Sequence, residues 1–345
     1  MSAAAAMDVA ADPHWFPESF DPQRGEIGFV RTDSDDLAAQ TFLDHRWKRS
    51  GRRHLQVSAE SLRNKRSEAA PLGIVWHTGF CCSTLLAKAL QNQGVLSLCE
   101  PQILPVIADS GREGVFARAA SLRGVPRLMF DLLARPFEEG EAIVIKPAPA
   151  ANVLLPEMAR RPNTRNLFLY SDCRSFLISL AGQKEDGLKY ARRMFLNIVG
   201  DGHTQFQWPP AKLLLLSDLE IAALVWHMQI AEFRRSLPLL NTDVASLDCD
   251  ALLDQPEVAL KAVVDHLDLP QTATAKAREK VFEQNAKDPG ESYDSAVRRA
   301  RHDEIARRLG TDLDRIVEWS YGLTGAIPAG LPLPKQLIET EKSYR

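Results

Sequence analysis

Residues Gly73–Leu90, GIVWHTGFCCSTLLAKAL, constrain the fold more than any other stretch of the chain. The segment opens with a short apolar run, Gly73–Trp76, of a length that suits a buried strand. Small and polar residues follow from His77 to Thr84, and Leu85–Leu90 begins a helix of good helix formers. Strand, small-residue loop and helix together make the layout of a phosphate cradle. The helix start offers unpaired N–H groups and a positive dipole end to an anion. Ser83 and Thr84 add hydroxyls where that anion would sit. An ordinary strand–helix turn has the same outline, so the remaining segments must decide.

Those segments alternate. Val95–Cys99 is an apolar strand ended by Glu100–Pro101, and Ile103–Asp109 starts a helix. Glu113–Arg135 is mostly helical, Ala142–Lys146 (AIVIK) is a buried strand, and Pro149–Arg160 is a helix with proline in its first turn. Asn166–Tyr170 (NLFLY) is the next strand and Arg174–Gln183 the next helix. Strands alternating with helices predict a parallel sheet with crossovers, its ligands at the carboxyl ends of the strands. Beyond it, Lys184–Gln207 reads as polar helix and loop, Asp218–Leu237 as a long helix, Val244–Leu247 as a last strand and Pro256–Leu267 as a helix. Helices over Ala273–Ala286, Ser295–Leu309 and Asp312–Trp319 follow, with a loop, Lys287–Tyr293, among them.

Before the cradle, Trp15–Thr32 is turn-rich and ends in a strand, Ile27–Arg31. Asp33–Trp47 reads as a helix capped by Asp33 or Ser34, with Ala39, Phe42, Leu43 and Trp47 on one face. Lys48–Ala69 is a basic surface segment with a helix around Ala59–Arg66. The expected organisation is an N-terminal extension packed on the core (1–70), one α/β domain with a helical elaboration (71–322), and a loose tail rich in proline and glycine (323–345).

Composition narrows the class. Over 345 residues, 45% hydrophobic and 25% charged residues are those of a soluble globular protein. A net charge of −3 argues against a broadly basic nucleic-acid-binding surface. The opening MSAAAAMDVAADPHWF has no basic flank and no signal-length apolar core, and the apolar stretch Leu213–Ala231 is broken by Asp218, Glu220 and His227. A cytoplasmic protein without a membrane span is expected. Five cysteines, an odd number without zinc spacing, are expected to be reduced thiols, and no metal is expected. Cys81 and Cys82 serve best as small residues in the loop.

Four segments in order resemble the sulfotransferase family. Those enzymes have a P-loop-type α/β fold and use 3′-phosphoadenosine 5′-phosphosulfate (PAPS) as sulfuryl donor. The family's donor loop, roughly [RK]-S-G-T-[ST]-L-L, is matched by FCCSTLL at Phe80–Leu86. LCEPQILPVI, Leu98–Ile107, looks like the segment C-G-E-E-T-R-V-I-P of tyrosylprotein sulfotransferases. FLYSDCRSFLIS, Phe168–Ser179, keeps the strand and the serine of the family's 3′-phosphate segment. Val244–Pro270 is similar to the late E-D-L element. Three positions depart from the pattern. Phe80 stands where the family has a basic residue, Ser171 where it has the 3′-phosphate arginine, and Ala148 where a cytosolic motif has histidine, although Lys146 matches that motif's lysine. The chain is also not a Walker A protein, because Cys82 stands where GxxxxGK[ST] needs lysine.

The resemblance implies roles. The cradle Gly79, Phe80, Cys81, Cys82, Ser83 and Thr84 would hold the 5′-phosphosulfate, and Glu100 would be the general base for the acceptor. The charge that Phe80 cannot supply is left to His77 or Lys146. Ser171, Ser179 and Arg174 are candidates for the 3′-phosphate, and Lys287, with Arg298 or Arg301, for a basic loop closing over the donor. Trp76 either flanks an adenine or sits in the core. The alternatives are a non-catalytic nucleotide- or partner-binding protein on the same fold and, ranked last, a P-loop kinase. The acceptor and the oligomeric state stay open.

Overall fold

The structure, a computed structural model, describes residues 9–63, 69–91, 94–159, 161–202, 210–240, 244–270, 295–323 and 331–339. Its centre is a five-stranded, all-parallel sheet of β4 (Leu72–His77), β5 (Val95–Cys99), β6 (Ala142–Lys146), β7 (Thr164–Tyr170) and β8 (Val244–Asp248), in the order β5-β6-β4-β7-β8. The three earlier strands, β1 (Trp15–Asp21), β2 (Glu26–Arg31) and β3 (His54–Ser58), form a separate antiparallel sheet.

The central strands are continuous apolar runs because both their faces are covered. Alternate residues belong to different cores: Ile74, Trp76, Ile143, Ile145, Phe168 and Tyr170 face one, and Val75, Val144, Leu167 and Leu169 face the other. The helices sort in the same way. Among them are α1 (Ser34–Ala39), α2 (Ser83–Leu90), α3 (Ile103–Arg112), α4 (Val125–Leu133), α5 (Cys173–Ala181), α6 (Lys184–Gly200), α7 (Asp218–Ser236), α8 (Pro256–Leu267), α9 (Ser295–Leu309) and α10 (Thr311–Leu323). Leu86 and Leu90 of α2 join Leu260, Val263 and Leu267 of α8 on the second face. Helices α3 to α7 and the small sheet cover the first. Local signals start several of them: Asp172 caps α5 through the Ser175 N–H, and Ser217 with Glu220 forms a capping box on α7.

Topology fixes where a ligand belongs. From β4 the chain goes to β5, on one side of the sheet, and from β7 it goes to β8, on the other. The switch point lies between β4 and β7. Their registered ends, His77 opposite Leu169, place the loop after β4 at that crevice. The paired ends of β5 and β6, Cys99 opposite Lys146, lie at the same edge.

Four expectations change. The helix expected over Asp33–Trp47 stops at Ala39, where Gln40 turns extended. Asp33 caps it as expected, but Leu43 is drawn into backbone bonds with Cys99 and Gln102, and that pairing ends the helix. Trp15–Asp21 is a strand rather than a turn-rich segment, since it finds a partner in β2. The helix expected over Pro149–Arg160 is a 3-10 turn, Pro149–Leu154, followed by the one-turn helix Leu155–Met158. Within the tail expected to be loose, 331–339 docks on the sheet: Ser246 of β8 donates its N–H to the Lys335 carbonyl and accepts the Leu337 N–H, and Leu333 is buried. The helix read over Ala273–Ala286 lies outside the described residues. Among those described, no helix is long and apolar enough to cross a membrane.

The N-terminal sheet shares the large core through Phe16, Phe29 and Trp47. Arg135, just after α4, binds it further by donating to the carbonyls of Val9, Asp12 and Trp15 at 2.6–2.9 Å. Burial among carbonyls, partly offset by Asp12, pushes that guanidinium down to about 10.

Candidate functional site

The loop between β4 and α2 is held in an unusual backbone conformation. Gly79, Phe80 and Cys82 all have positive φ, at 81°, 54° and 60°. Glu100, at the end of β5, has φ 52°. Glycine adopts this region freely, whereas a phenylalanine, cysteine or glutamate there costs about 1 kcal/mol or more each. Among the described residues the other non-glycine cases are Asn163, Lys184, Asp268 and Lys335, so three of the seven lie at this one edge of the sheet. Cys82 is the N-cap of α2 and gives it no side-chain cap. The first N–H groups of α2, Ser83 and Thr84 among them, therefore have neither an intrahelical nor a capping acceptor.

His77 explains how the loop keeps that shape. Its ring is buried, with Nε2 2.9 Å from the Pro147 carbonyl. A carbonyl only accepts, so Nε2 carries the proton and Nδ1 is the acceptor. Nδ1 takes the Gly79 N–H and the Ser83 hydroxyl, both at 3.1 Å. Asn152 donates to the His77 carbonyl at 3.1 Å. This neutral ring braces the loop and brings no positive charge to it.

Lys146 brings that charge. It is fully buried at the end of β6, with Nζ 2.5 Å from Glu100 Oε1 and 3.5 Å from Thr84 Oγ1. Burial pulls its pKa down, but the Glu100 carboxylate outweighs burial and holds it above the ordinary value, so the ammonium stays charged. The parallel register explains the meeting: Glu100 donates its backbone N–H to the Lys146 carbonyl, and the left-handed turn at Glu100 carries its side chain back over the strand end. The N-terminal segment closes one side. The Phe42 ring lies 5.3 Å from Lys146 Nζ and 3.7 Å beneath the Arg46 guanidinium. Arg46 is held above its ordinary pKa, first by the hydrogen bonds it donates to the Asp44 carboxylate and more weakly by Glu100.

The Phe80 side chain packs on neighbouring rings. Its ring meets Phe176 at 5.7 Å and Tyr190 at 5.2 Å, both edge-on. This packing offsets the strain of its backbone. Cys81 is buried with Sγ 3.4 Å from the Leu169 carbonyl, and burial pushes its thiol up to about 11. Cys82 is partly exposed. No disulfide joins the described cysteines, and the vicinal pair fills the loop.

The residues assigned to a 3′-phosphate do not converge. Ser171 follows β7 at the switch point, fully buried, with an Oγ that has no hydrogen-bond partner. Arg174 instead reaches Asp314 of α10 at 3.3 Å, and Ser179 bonds His302 of α9 at 2.9 Å. Arg301 leans on the Gly182 carbonyl, and Lys287 lies outside the described residues. Trp76 is a core residue, buried and bonded to Asn166.

No protein-family model matches the chain. No curated protein matches it either.

Sequence reasoning missed four contributors: Phe42, Arg46, Asn152 and Tyr190. Each reaches the loop from a distant segment, and none belongs to a motif. Two features lie apart from the site. A cleft of about 380 Å³ opens at the opposite end of the sheet, lined by Pro71, Asn163, Arg165 and Asp268. Asp248, Cys249 and Asp250 cluster within 4.8 Å, but Asp248 is there as the cap of the helix Cys249–Asp254.

Proposed function

We propose that the chain is a sulfotransferase of the P-loop-type α/β fold, moving a sulfuryl group from PAPS to an acceptor hydroxyl or amine. One observation carries the reading: a fully buried, charged lysine sits between a carboxylate and a hydroxyl of the anion loop. Lys146 supplies the positive charge that Phe80 does not, and it does so from the next strand.

The 5′-phosphosulfate end of the donor fits the residues present. The α2 N–H groups and the Thr84 hydroxyl receive its oxygens, while Ser83, whose hydroxyl is given to His77 Nδ1, contributes its backbone N–H. In the reaction the acceptor O–H loses its proton to Glu100, the new O–S bond forms, and the bond from sulfur to the phosphate oxygen breaks. The products are the sulfated acceptor and 3′-phosphoadenosine 5′-phosphate. Lys146, shared between Glu100 and Thr84, moves toward the oxygens on which charge develops, and the same movement frees Glu100 to take the proton. Cytoplasmic residence belongs to the same proposal, supported by five cysteines that form no disulfide.

A second reading, a non-catalytic nucleotide- or partner-binding protein on this fold, is favoured by the engagement of Arg174 and Ser179 elsewhere. Titration with 3′-phosphoadenosine 5′-phosphate, followed by thermal stability, decides between them when joined to a transfer assay. Binding raises the melting temperature by linkage. Sulfotransfer predicts that rise together with labelled-sulfate transfer lost in Glu100→Gln, assayed where the variant is folded. Binding without transfer to any hydroxyl or amine acceptor supports the second reading. No rise with the bisphosphate nucleotide refutes the sulfotransferase.

A further inference from the structure

The Tyr190 hydroxyl has no role in the fold. Tyr190 projects from α6, and its ring is partly exposed while its oxygen is out of contact with solvent and has no hydrogen-bond partner. A buried, unpaired hydroxyl is a cost to the folded chain. The ring is pinned: Phe80 packs against it at 5.2 Å with the planes at 89°. The hydroxyl lies over Gly79, where an added Cβ would come within 2.9 Å of it. Burial, with the negative charge of Glu100, raises the phenol's pKa further, so it stays a donor. A second orphan follows the end of β7, the strand paired with β4. Ser171 Oγ, fully buried, follows Leu169 by two residues, and the Leu169 carbonyl takes the Thr78 N–H and the Cys81 thiol. Two unsatisfied hydroxyls beside an uncapped helix start are the signature of a missing acceptor-rich ligand.

We infer that Tyr190 Oη donates a hydrogen bond to a tetrahedral oxyanion, phosphate or sulfate ester, held by the Gly79–Thr84 loop. This rests on the loop being the anion site of the proposed function. It adds a positioning residue from α6, a helix outside the motifs that suggested the site. It also gives Gly79 a second reason to be glycine, since any side chain there would displace the donor.

Tyr190→Phe keeps the ring and its packing on Phe80 and removes only the hydroxyl. Calorimetric titration uses two probes, inorganic pyrophosphate and 3′-phosphoadenosine 5′-phosphate, on wild type and variant, with urea unfolding of both ligand-free proteins. A donor to a charged group implies about ten- to hundred-fold weaker binding in the variant. The ligand-free variant is then no less stable than wild type, because no native bond is lost. Equal affinity in the two proteins, or a ligand-free variant that loses stability, overturns the inference. If wild type binds pyrophosphate but not the nucleotide, the sulfotransferase reading fails, and Tyr190 is judged on pyrophosphate alone. If it binds neither, the loop is not an anion site and both fail.

Discussion

Removing one partner of the Lys146–Glu100 pair has an asymmetric cost that follows from burial. Lys146 is 0% exposed in its side chain and Glu100 is 20% exposed. Glu100→Gln strands the ammonium with Thr84 Oγ1 at 3.5 Å and the Phe42 face at 5.3 Å. Breaking a buried pair this way costs about 3–5 kcal/mol, and the glutamine carbonyl recovers part of that, leaving about 2–3 kcal/mol. Lys146→Met keeps the volume, removes the desolvated charge and leaves Glu100 in reach of water, at a cost of about 1 kcal/mol. The double variant should match Lys146→Met, a coupling of about 2 kcal/mol. Urea unfolding of the four proteins at neutral pH measures this. A pH series adds a check. The folded pKa of Lys146 lies above its ordinary 10.5, so the pair's contribution is whole below 10.5 and is lost as pH rises through the folded value. Wild type should lose more stability than Lys146→Met across that window. Lys146→Met costing more than Glu100→Gln, or a double variant no better than Glu100→Gln, refutes the reasoning.

Gly79→Ala should cost about 2 kcal/mol, from φ +81° and the 2.9 Å contact with Tyr190, and should weaken pyrophosphate binding in a calorimetric titration. In unfolding experiments Gly79→Ala/Tyr190→Phe should regain about half of that loss, since the next contacts are ordinary ones at 3.6 and 3.7 Å. Maleimide labelling of the native chain at pH 7.5, read by mass spectrometry, should modify Cys82 first and leave Cys81 intact, because burial holds the Cys81 thiol up at about 11. Pyrophosphate should protect Cys82. Arg135→Ala should release the segment before β1, with about 2–4 kcal/mol lost and faster hydrogen exchange at Val9–Trp15, because its guanidinium ties that segment's carbonyls to α4. Phe80→Lys should not raise anion affinity by titration, because the position points into Phe176 and Tyr190, and unfolding should show a loss of about 2 kcal/mol from the lost packing and the charge set against those rings.

The parallel core was legible because each strand is an apolar run bounded by turn residues, and AIVIK at Ala142–Lys146 is a strand with those bounds. The helix beginnings at Asp172 and Ser217 follow cap chemistry that is local to the chain. What could not be read locally was decided by pairing. Trp15–Asp21 needs β2 to be a strand, and Gln40–Trp47 leaves the helix because Leu43 pairs with the end of β5. The docking of 331–339 on Ser246 is likewise a contact made across the sequence.

The site divides along the same line. Lys146 and Glu100 were readable as residues at strand ends, and a parallel sheet puts all such ends on one edge, so their meeting is a consequence of topology. His77 was readable as a polar residue in the loop, but its proton is assigned only by the Pro147 carbonyl, which turns a candidate catalyst into a brace. Phe80 shows the limit most clearly. In the sequence it is an absent charge; in the fold it anchors a strained loop by packing on two aromatic rings from α5 and α6. Lys146, from β6, lies against Thr84 and places a cation beside the loop without using the Phe80 position, which is left to packing. That packing also fixes the Tyr190 ring, whose hydroxyl lies over Gly79.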